Sequence, residues 1–141
     1  MLGNYVKING KHLDSYRYSV GGGMTGGYYE VKVTKYENQA LIKIESAEWH
    51  SQDPTVSEYR ADIAILGEIE AIVRKYKMNF WNRKKFTNMF VHDGESTGYY
   101  FGFEDVTVSF SSQIYPPVYR DKLALIDEIV KKYIGAEQKE G

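Results

Sequence analysis

The 141-residue sequence contains no cysteine and only three prolines and three histidines. The absence of cysteine excludes disulfide bonds, thiolate nucleophiles and cysteine-containing metal sites. No apolar segment has the length of a signal-peptide core or of a membrane span, so we expect neither secretion nor membrane insertion, and a cytoplasmic location. An excess of one charge is also lacking. The net charge is −1, which gives the chain no overall field that would attract nucleic acid or a membrane surface.

What the sequence does contain is typical of a folded globular protein, with 43% hydrophobic and 26% charged residues. The length suits one compact domain that buries roughly two thirds of its unfolded surface. We therefore predict a single domain over residues 1–134. The remaining residues, 135–141, are polar and offer nothing to dock, which predicts a frayed C-terminal tail.

Three segments near the N-terminus alternate apolar and polar side chains, as half-buried strands do. They are "LDSYRYSV", "YYEVKVTKY" and "ALIKIES". Their short connections, a glycine-rich loop and a turn at Glu37–Asn38, predict an antiparallel meander with one solvent-facing side. In the second strand, Tyr29, Val31 and Val33 are predicted to point inward.

The period then changes to that of a helix, with an apolar stripe from Ile65 to Tyr76 and Asp62 as the expected N-cap. "TGYYFGF" and "VTVSFSS" predict a hairpin that turns at Glu104–Asp105. A second amphipathic helix follows Pro116–Pro117. The order βββ-α-ββ-α predicts an α+β fold, a two-layer sandwich with an antiparallel sheet of about five strands and two helices on one face.

Five glycines occur among the seven residues of "GGGMTGG", Gly21 to Gly27. Gly21–Gly26 matches the dinucleotide pattern G-x-G-x-x-G, but the segment that follows has strand period, so no helix N-terminus would face a phosphate. The "ALIK" segment also places Lys43 like the nucleotide-binding lysine of protein kinases. The strand pattern points Lys43 outward, beside Glu30 and Lys32, which argues against a nucleotide site.

We interpret the glycine-rich segment as a connection between strands whose backbone is approached closely by another segment or by a partner. Meander geometry brings the end of the third strand, Trp49 and His50, beside Met24 and Thr25. The candidate ligand- or partner-binding residues are Gly22, Gly23, Met24, Thr25, Gly26, Tyr28, Trp49 and His50.

A basic segment with interleaved aromatics, "RKYKMNFWNRKKF", offers the ingredients of phosphate contacts and base stacking. The competing interpretation is a helix end with dipole-matched lysines and a buried pair formed by Phe80 and Trp81. The candidate residues of this basic patch are Arg74, Lys75, Lys77, Trp81, Arg83, Lys84 and Lys85.

His92, Asp93 and Glu95 are the remaining candidates for chemistry, together with His50. An Asp-Gly pair between apolar segments is also an ordinary turn signal, and no H-x-x-x-H spacing occurs. We therefore assign no catalytic residue and expect neither a metal nor a cofactor. A small enzyme with a His–carboxylate site remains an alternative.

Several of these segments in combination, above all "YRYSVGGGMTGGYYEV", then "FW", "HDGES" and "YPPVYRDKLALIDEIVKKY", resemble a family of small uncharacterised bacterial proteins of the Firmicutes type. The resemblance implies an intracellular bacterial domain without an established activity, and it transfers no residue role.

The function that we predict is a non-enzymatic binding or protein-interaction module that uses the glycine-rich loop and the tyrosine-bearing sheet edge. Its partner would be another protein, a small ligand or a second copy of the chain. The alternative is binding of single-stranded nucleic acid or an anionic ligand through residues 74–86.

Overall fold

The computed structural model describes residues 5–21, 26–49, 53–84 and 96–140, with the backbone alone for 136–140. The first part of the chain holds four strands: β1 (Leu13–Gly21), β2 (Gly26–Tyr36), β3 (Gln39–Trp49) and β4 (Thr55–Asp62). Next come a helix and a single 3₁₀ turn: α1 (Ala64–Lys75) and Met78–Trp81. A hairpin and a long helix complete the fold: β5 (Ser96–Phe103), β6 (Val106–Ser112) and α2 (Pro117–Glu140).

The six strands form one antiparallel sheet in the order β4-β3-β2-β1-β5-β6. The predicted meander is confirmed as β1-β2-β3, with the turn at Glu37–Asn38, and the predicted hairpin is confirmed as β5-β6. The hairpin docks on the free edge of β1, which places β1 near the middle of the sheet. The α+β class is therefore right, but the sheet has six strands rather than about five.

The additional strand is β4, whose sequence TVSEYRAD carries little apolar signal. It lies at the sheet edge, where charged side chains protect the unpaired backbone from other chains. Because β4 includes Asp62, the N-cap of α1 is Ile63 rather than the expected Asp62, and the helix begins at Ala64. The Asp62 carboxylate still accepts a hydrogen bond from the Ala64 backbone N–H, at 2.9 Å.

The core lies between one face of the sheet and the two helices, as the periodicity predicts. Neighbouring strands place Tyr16, Val33 and Ile42 side by side on this covered face. The helices bury their predicted apolar stripes against it, and the buried helix residues are Ile65, Leu66, Ile69, Val73, Leu123, Ile126 and Val130. Inward and outward assignments in the strands are thus confirmed.

Glu70 of α1 ties the helix to the start of β1. Its carboxylate accepts hydrogen bonds from the Leu13 backbone N–H at 2.8 Å and from Arg74 Nε at 2.9 Å. Burial alone would raise the pKa of Glu70, but these two hydrogen bonds outweigh burial and hold the pKa below its ordinary value. The charged form of Glu70 therefore stabilises the fold.

The two helices are joined by a polar contact as well as by their apolar stripes. Glu68 of α1 accepts a hydrogen bond from Lys132 Nζ at 2.7 Å and another from the Tyr133 hydroxyl. Burial and the hydrogen bond to Glu68 together raise the pKa of Tyr133 to about 12. Helix α2 then continues to Glu140, and the fraying of 135–141 stays a prediction. Within the described residues, no helix is long and apolar enough to cross a membrane.

Candidate binding site

The glycine-rich segment joins two antiparallel strands, as expected. Strand β2 follows it directly, so the helix that a dinucleotide fingerprint requires does not stand there. Gly26 has a φ of +73° and pairs with Trp49, which confirms that the end of β3 returns to this loop. Gly22, Gly23, Met24, Thr25 and His50 lie outside the described residues.

A close backbone approach occurs at Gly27, the last glycine of the segment. A Cβ atom added there would lie 2.3 Å from the Glu48 carbonyl oxygen and 2.9 Å from that of Ala47. The neighbour that requires glycine is thus β3 of the same chain. At least one of the five glycines is explained by packing within the sheet.

The basic segment does not form one patch in the part of the chain that the structure describes. Arg74 is held by Glu70 and also donates to the backbone oxygens of Ile8 and Lys11. Trp81 is buried, with its ring 4.8 Å from that of Tyr119, and is not available to stack on a base.

Phe80 corrects the expectation of a buried Phe–Trp pair. It is exposed and lies against the Tyr5 ring at 4.5 Å. Lys75 and Lys77, also predicted as part of the patch, are both exposed. Lys84 lies 5.4 Å from the Tyr119 ring, and Lys85 is outside the described residues. Arg83 lines a groove on the sheet, beside Tyr100 and Ser109.

The second face of the sheet is the open face, on which no helix of the described residues packs. Lys43 lies there, as expected, 3.8 Å from the Glu45 carboxylate. The strand register places Arg17 of β1 directly opposite Lys32 of β2, and Lys32 opposite Lys43 of β3. Like charges in directly opposite positions repel. Lys43 contacts Glu45 and lies opposite Glu58, so the repulsion remains between Arg17 and Lys32.

Arg17 lies at the end of that row, next to β5. Its guanidinium lies over the Tyr100 ring of β5, 3.9 Å from the ring centroid. Its Nε is enclosed without a hydrogen-bond partner, and no other side-chain nitrogen or oxygen in the described ranges shares that condition. The terminal nitrogens of Arg17 form no ion pair or hydrogen bond with a described residue either, and they are not enclosed. Arg17 also lines a groove of the open face, beside Lys32 and Tyr100.

Small residues surround Tyr100 and leave room beside it. Gly98 and Gly102 flank it on β5, and Ser109 lies opposite on β6. Three shallow grooves of about 210, 260 and 360 Å³ all border its ring. Residues with hydroxyl groups on their walls are Ser15, Ser19, Tyr28, Thr34, Ser96, Ser109 and Ser111, and the largest groove also has the Glu30 carboxylate on its wall.

Charge is divided unevenly across the open face. On the β2–β3 side, Glu45 contacts Lys43 and accepts a hydrogen bond from the Tyr28 hydroxyl at 2.6 Å, which raises the pKa of Tyr28. On the β1–β5–β6 side, Arg17 and Arg83 pair with no carboxylate among the described residues. We call Arg17, Lys32, Arg83 and Tyr100, with the hydroxyls of Ser15 and Ser109, the Arg17 patch.

Sequence periodicity places Arg17 on the outward face, but it does not reveal Tyr100 as its neighbour. Their contact depends on the pairing of β1 with β5, which are far apart along the chain. The sequence signal for this site is the pair of small residues that flanks Arg17 in "SYRYS" and the pair that flanks Tyr100 in "GYYFG".

Tyr28 and Trp49, two of the predicted binding residues, share the open face near its glycine-rich end. His92, Asp93 and Glu95 lie outside the described residues. Across the described ranges, no group of three or more His, Asp and Glu side chains is arranged to hold a metal ion. Comparison with protein-family models finds no match for this chain, and comparison with curated proteins finds none either.

Proposed function

We propose that this protein is a non-enzymatic binding module that holds an anionic ligand on the open face of its sheet, at the Arg17 patch. The observation that carries the proposal is the stacked, unpaired guanidinium of Arg17. The ligand group would be a phosphate or a carboxylate, since a guanidinium donates two parallel hydrogen bonds to either.

Stacking on Tyr100 supports the proposal because it fixes the guanidinium before any ligand arrives. A free arginine side chain has about 2 kcal/mol of rotamer entropy to lose, and a fixed fork loses less of it on binding. An anion would also relieve the repulsion between Arg17 and Lys32. The same ligand therefore removes a destabilising feature of the unliganded sheet.

The surroundings of the patch suit a ligand larger than one anionic group. Trp49 is 45% exposed and lies on the same face as Tyr28, so both rings are available to the rest of the ligand. The glycine-rich end of the sheet, for which the sequence predicts a binding role, thus lies on the same face as the Arg17 patch. Membership in the bacterial family stays a prediction.

Single-stranded nucleic acid receives less support as the ligand. Trp81 is buried and Arg74 is engaged by Glu70, so Trp81 is not available to stack on a base, while Arg83 lines a groove of the open face. The enzyme alternative depends on His50 and His92, which lie outside the described residues.

Isothermal titration with pyrophosphate tests the proposal, using Arg17→Gln and the matched control Arg60→Gln. Arg60 shares the open face but lies on the edge strand β4, where its guanidinium is 6.0 Å from the Tyr36 ring. A charge-assisted hydrogen bond is worth about 1.5–3 kcal/mol. We expect Arg17→Gln to weaken binding by about tenfold or more, and Arg60→Gln to leave it near the wild-type value.

Added salt should weaken the same binding, because the patch is exposed and its charges are screened. Equal losses in the two variants, or no heat of binding at low salt, would contradict the proposal.

A further inference from the structure

A second cleft lies on the covered face of the sheet, between the strands and α2. Four tyrosines from three adjacent strands line it: Tyr16 and Tyr18 of β1, Tyr29 of β2 and Tyr99 of β5. Helix α2 closes the other side with Arg120, Leu123, Ala124, Asp127 and Lys131. The cleft, called here the tyrosine cleft, has a volume of about 330 Å³, at the lower end of the range for small-molecule sites.

The rings of two cleft tyrosines, Tyr16 and Tyr99, pack in the core, but their hydroxyl groups have no partner there. Tyr16 is 3% exposed and Tyr99 is 9% exposed, and neither hydroxyl makes a hydrogen bond with a described residue. Neither is fully enclosed, because Arg17 Nε is the one enclosed, partnerless side-chain atom of the described ranges. Both residues line the cleft, which is the open space beside them. Burial raises the pKa of both phenols, so each stays neutral and can donate and accept.

The rings of the cleft are arranged to accept a flat apolar group. Tyr18 lies 5.2 Å from Tyr99 in a tilted arrangement and 6.2 Å from Tyr29 in an edge-on arrangement. Aromatic rings prefer such offset and edge contacts, which give a planar guest both ring faces and ring edges. Leu123 and Ala124 add aliphatic surface from the helix side.

The charged helix residues at the cleft differ in whether they have an ion-pair partner. Lys131 is paired with Asp127 at 2.9 Å, one helical turn away. Arg120 is exposed and makes no ion pair with any residue that the structure describes. The cleft therefore combines aromatic walls, two free phenols and one unpaired guanidinium.

We infer that the tyrosine cleft is a binding site for a small planar aromatic carboxylate, with the ring between the tyrosines and the carboxylate on Arg120. The Tyr16 and Tyr99 hydroxyls would bind polar groups on the ring or its carboxylate edge. The site is separate from the Arg17 patch, since the two occupy opposite faces of the sheet. It does not depend on the proposed function.

Titration with naphthoate, compared with its uncharged analogue naphthylmethanol, tests this inference in the intact chain. We expect saturable binding of naphthoate and binding about tenfold weaker for naphthylmethanol, since a charged hydrogen bond is lost. Arg120→Gln should reduce naphthoate affinity to a similar extent. Tyr99→Phe should reduce it about three- to tenfold, because one neutral hydrogen bond disappears.

Three further variants separate loss of this ligand site from damage to the fold and from binding elsewhere. Ala124→Leu adds bulk at an exposed position of α2 with a good helix former, so the protein should fold and naphthoate binding should fall. Tyr36→Phe alters an exposed tyrosine on the opposite face and should leave naphthoate affinity unchanged. Arg17→Gln should also leave naphthoate binding intact, which distinguishes this site from the Arg17 patch.

Absence of saturable naphthoate binding would overturn the inference. Binding that survives both Ala124→Leu and Arg120→Gln would overturn it as well, because the ligand would then occupy another place.

Discussion

Replacement of Gly27 by alanine tests how tightly the glycine-rich end of the sheet is packed. The added methyl group would lie 2.3 Å from the Glu48 carbonyl oxygen, 2.7 Å from the Glu48 carbonyl carbon and 2.9 Å from the Ala47 oxygen. All three are backbone atoms of the paired strand β3, so no side chain can rotate to make room. Either β2 or β3 must shift.

The size of the loss follows from that shift. Overpacking of this kind costs about 1–3 kcal/mol, and each weakened ladder hydrogen bond between β2 and β3 adds about 0.5–1.5 kcal/mol. Alanine offsets roughly 0.4–1 kcal/mol by restricting the unfolded chain. We expect the free energy of unfolding to fall by about 2–3 kcal/mol. For a chain of this length the melting temperature should drop by roughly 5–12 °C.

Urea unfolding followed by circular dichroism measures this change. Gly67→Ala is the matched control, because Gly67 is exposed on α1 with no atom within 4 Å of an added Cβ. That variant should gain about 0.5–1 kcal/mol from helix propensity. The slope of the unfolding free energy against urea concentration should stay the same in both variants, so that the midpoints report stability. A Gly27→Ala protein as stable as the wild type would refute the close backbone approach.

Three further predictions concern the core, an ion pair and a groove. Glu70→Gln should lower the free energy of unfolding by about 1–3 kcal/mol. The pKa of Glu70 is depressed in the fold, so its stabilisation is present above the ordinary carboxyl range and is lost as the pH falls through the folded pKa. Urea midpoints of wild type and variant that stay equally far apart down to strongly acidic pH would disprove the role of its charge. Trp81→Ala should cost about 3–5 kcal/mol in thermal unfolding, whereas Phe80→Ala, at an exposed position, should cost less than about 1 kcal/mol; similar losses would contradict the burial difference. Gly98→Ala adds a methyl group whose nearest neighbours are 3.5 Å away, so stability should hold; the groove beside Gly98 has Glu30 on its wall and lacks Arg17, Lys32 and Arg83, so pyrophosphate affinity should stay near the wild-type value, and a clear loss of affinity would place the ligand outside the Arg17 patch.

The strands and helices with a clear apolar period are predictable from the sequence. Alternation in β1, β2 and β3 gives both their existence and their buried faces, since one face must meet the helices. The α1 and α2 stripes are equally clear. Strand β4 is not predictable in this way, because it lies at the sheet edge. Of its eight residues, only Tyr59 and Ala61 are apolar residues that pack in or against the core.

The candidate sites depend on contacts that periodicity does not contain. Arg17 meets Tyr100 because the β5–β6 hairpin docks on β1, and no local signal specifies that edge. The tyrosine cleft likewise requires Tyr29 and Tyr99, from β2 and β5, to lie on either side of β1 under α2. The basic segment has the composition of a nucleic-acid patch, but the described residues do not form one patch. The burial of Trp81 and the hydrogen bonds of Arg74 follow from tertiary packing, which the segment's own sequence does not contain.

The most direct test of the central claim observes the Arg17 side chain itself during ligand binding. In a protein labelled with ¹⁵N, the Nε–H signal of Arg17 is identified by its absence from the spectrum of Arg17→Gln. Titration with pyrophosphate should shift this signal saturably and leave the Arg60 signal in place. A ligand-dependent shift that spares Arg17, or a shift of Arg17 no larger than that of Arg60, would contradict an anion site at the Arg17 patch.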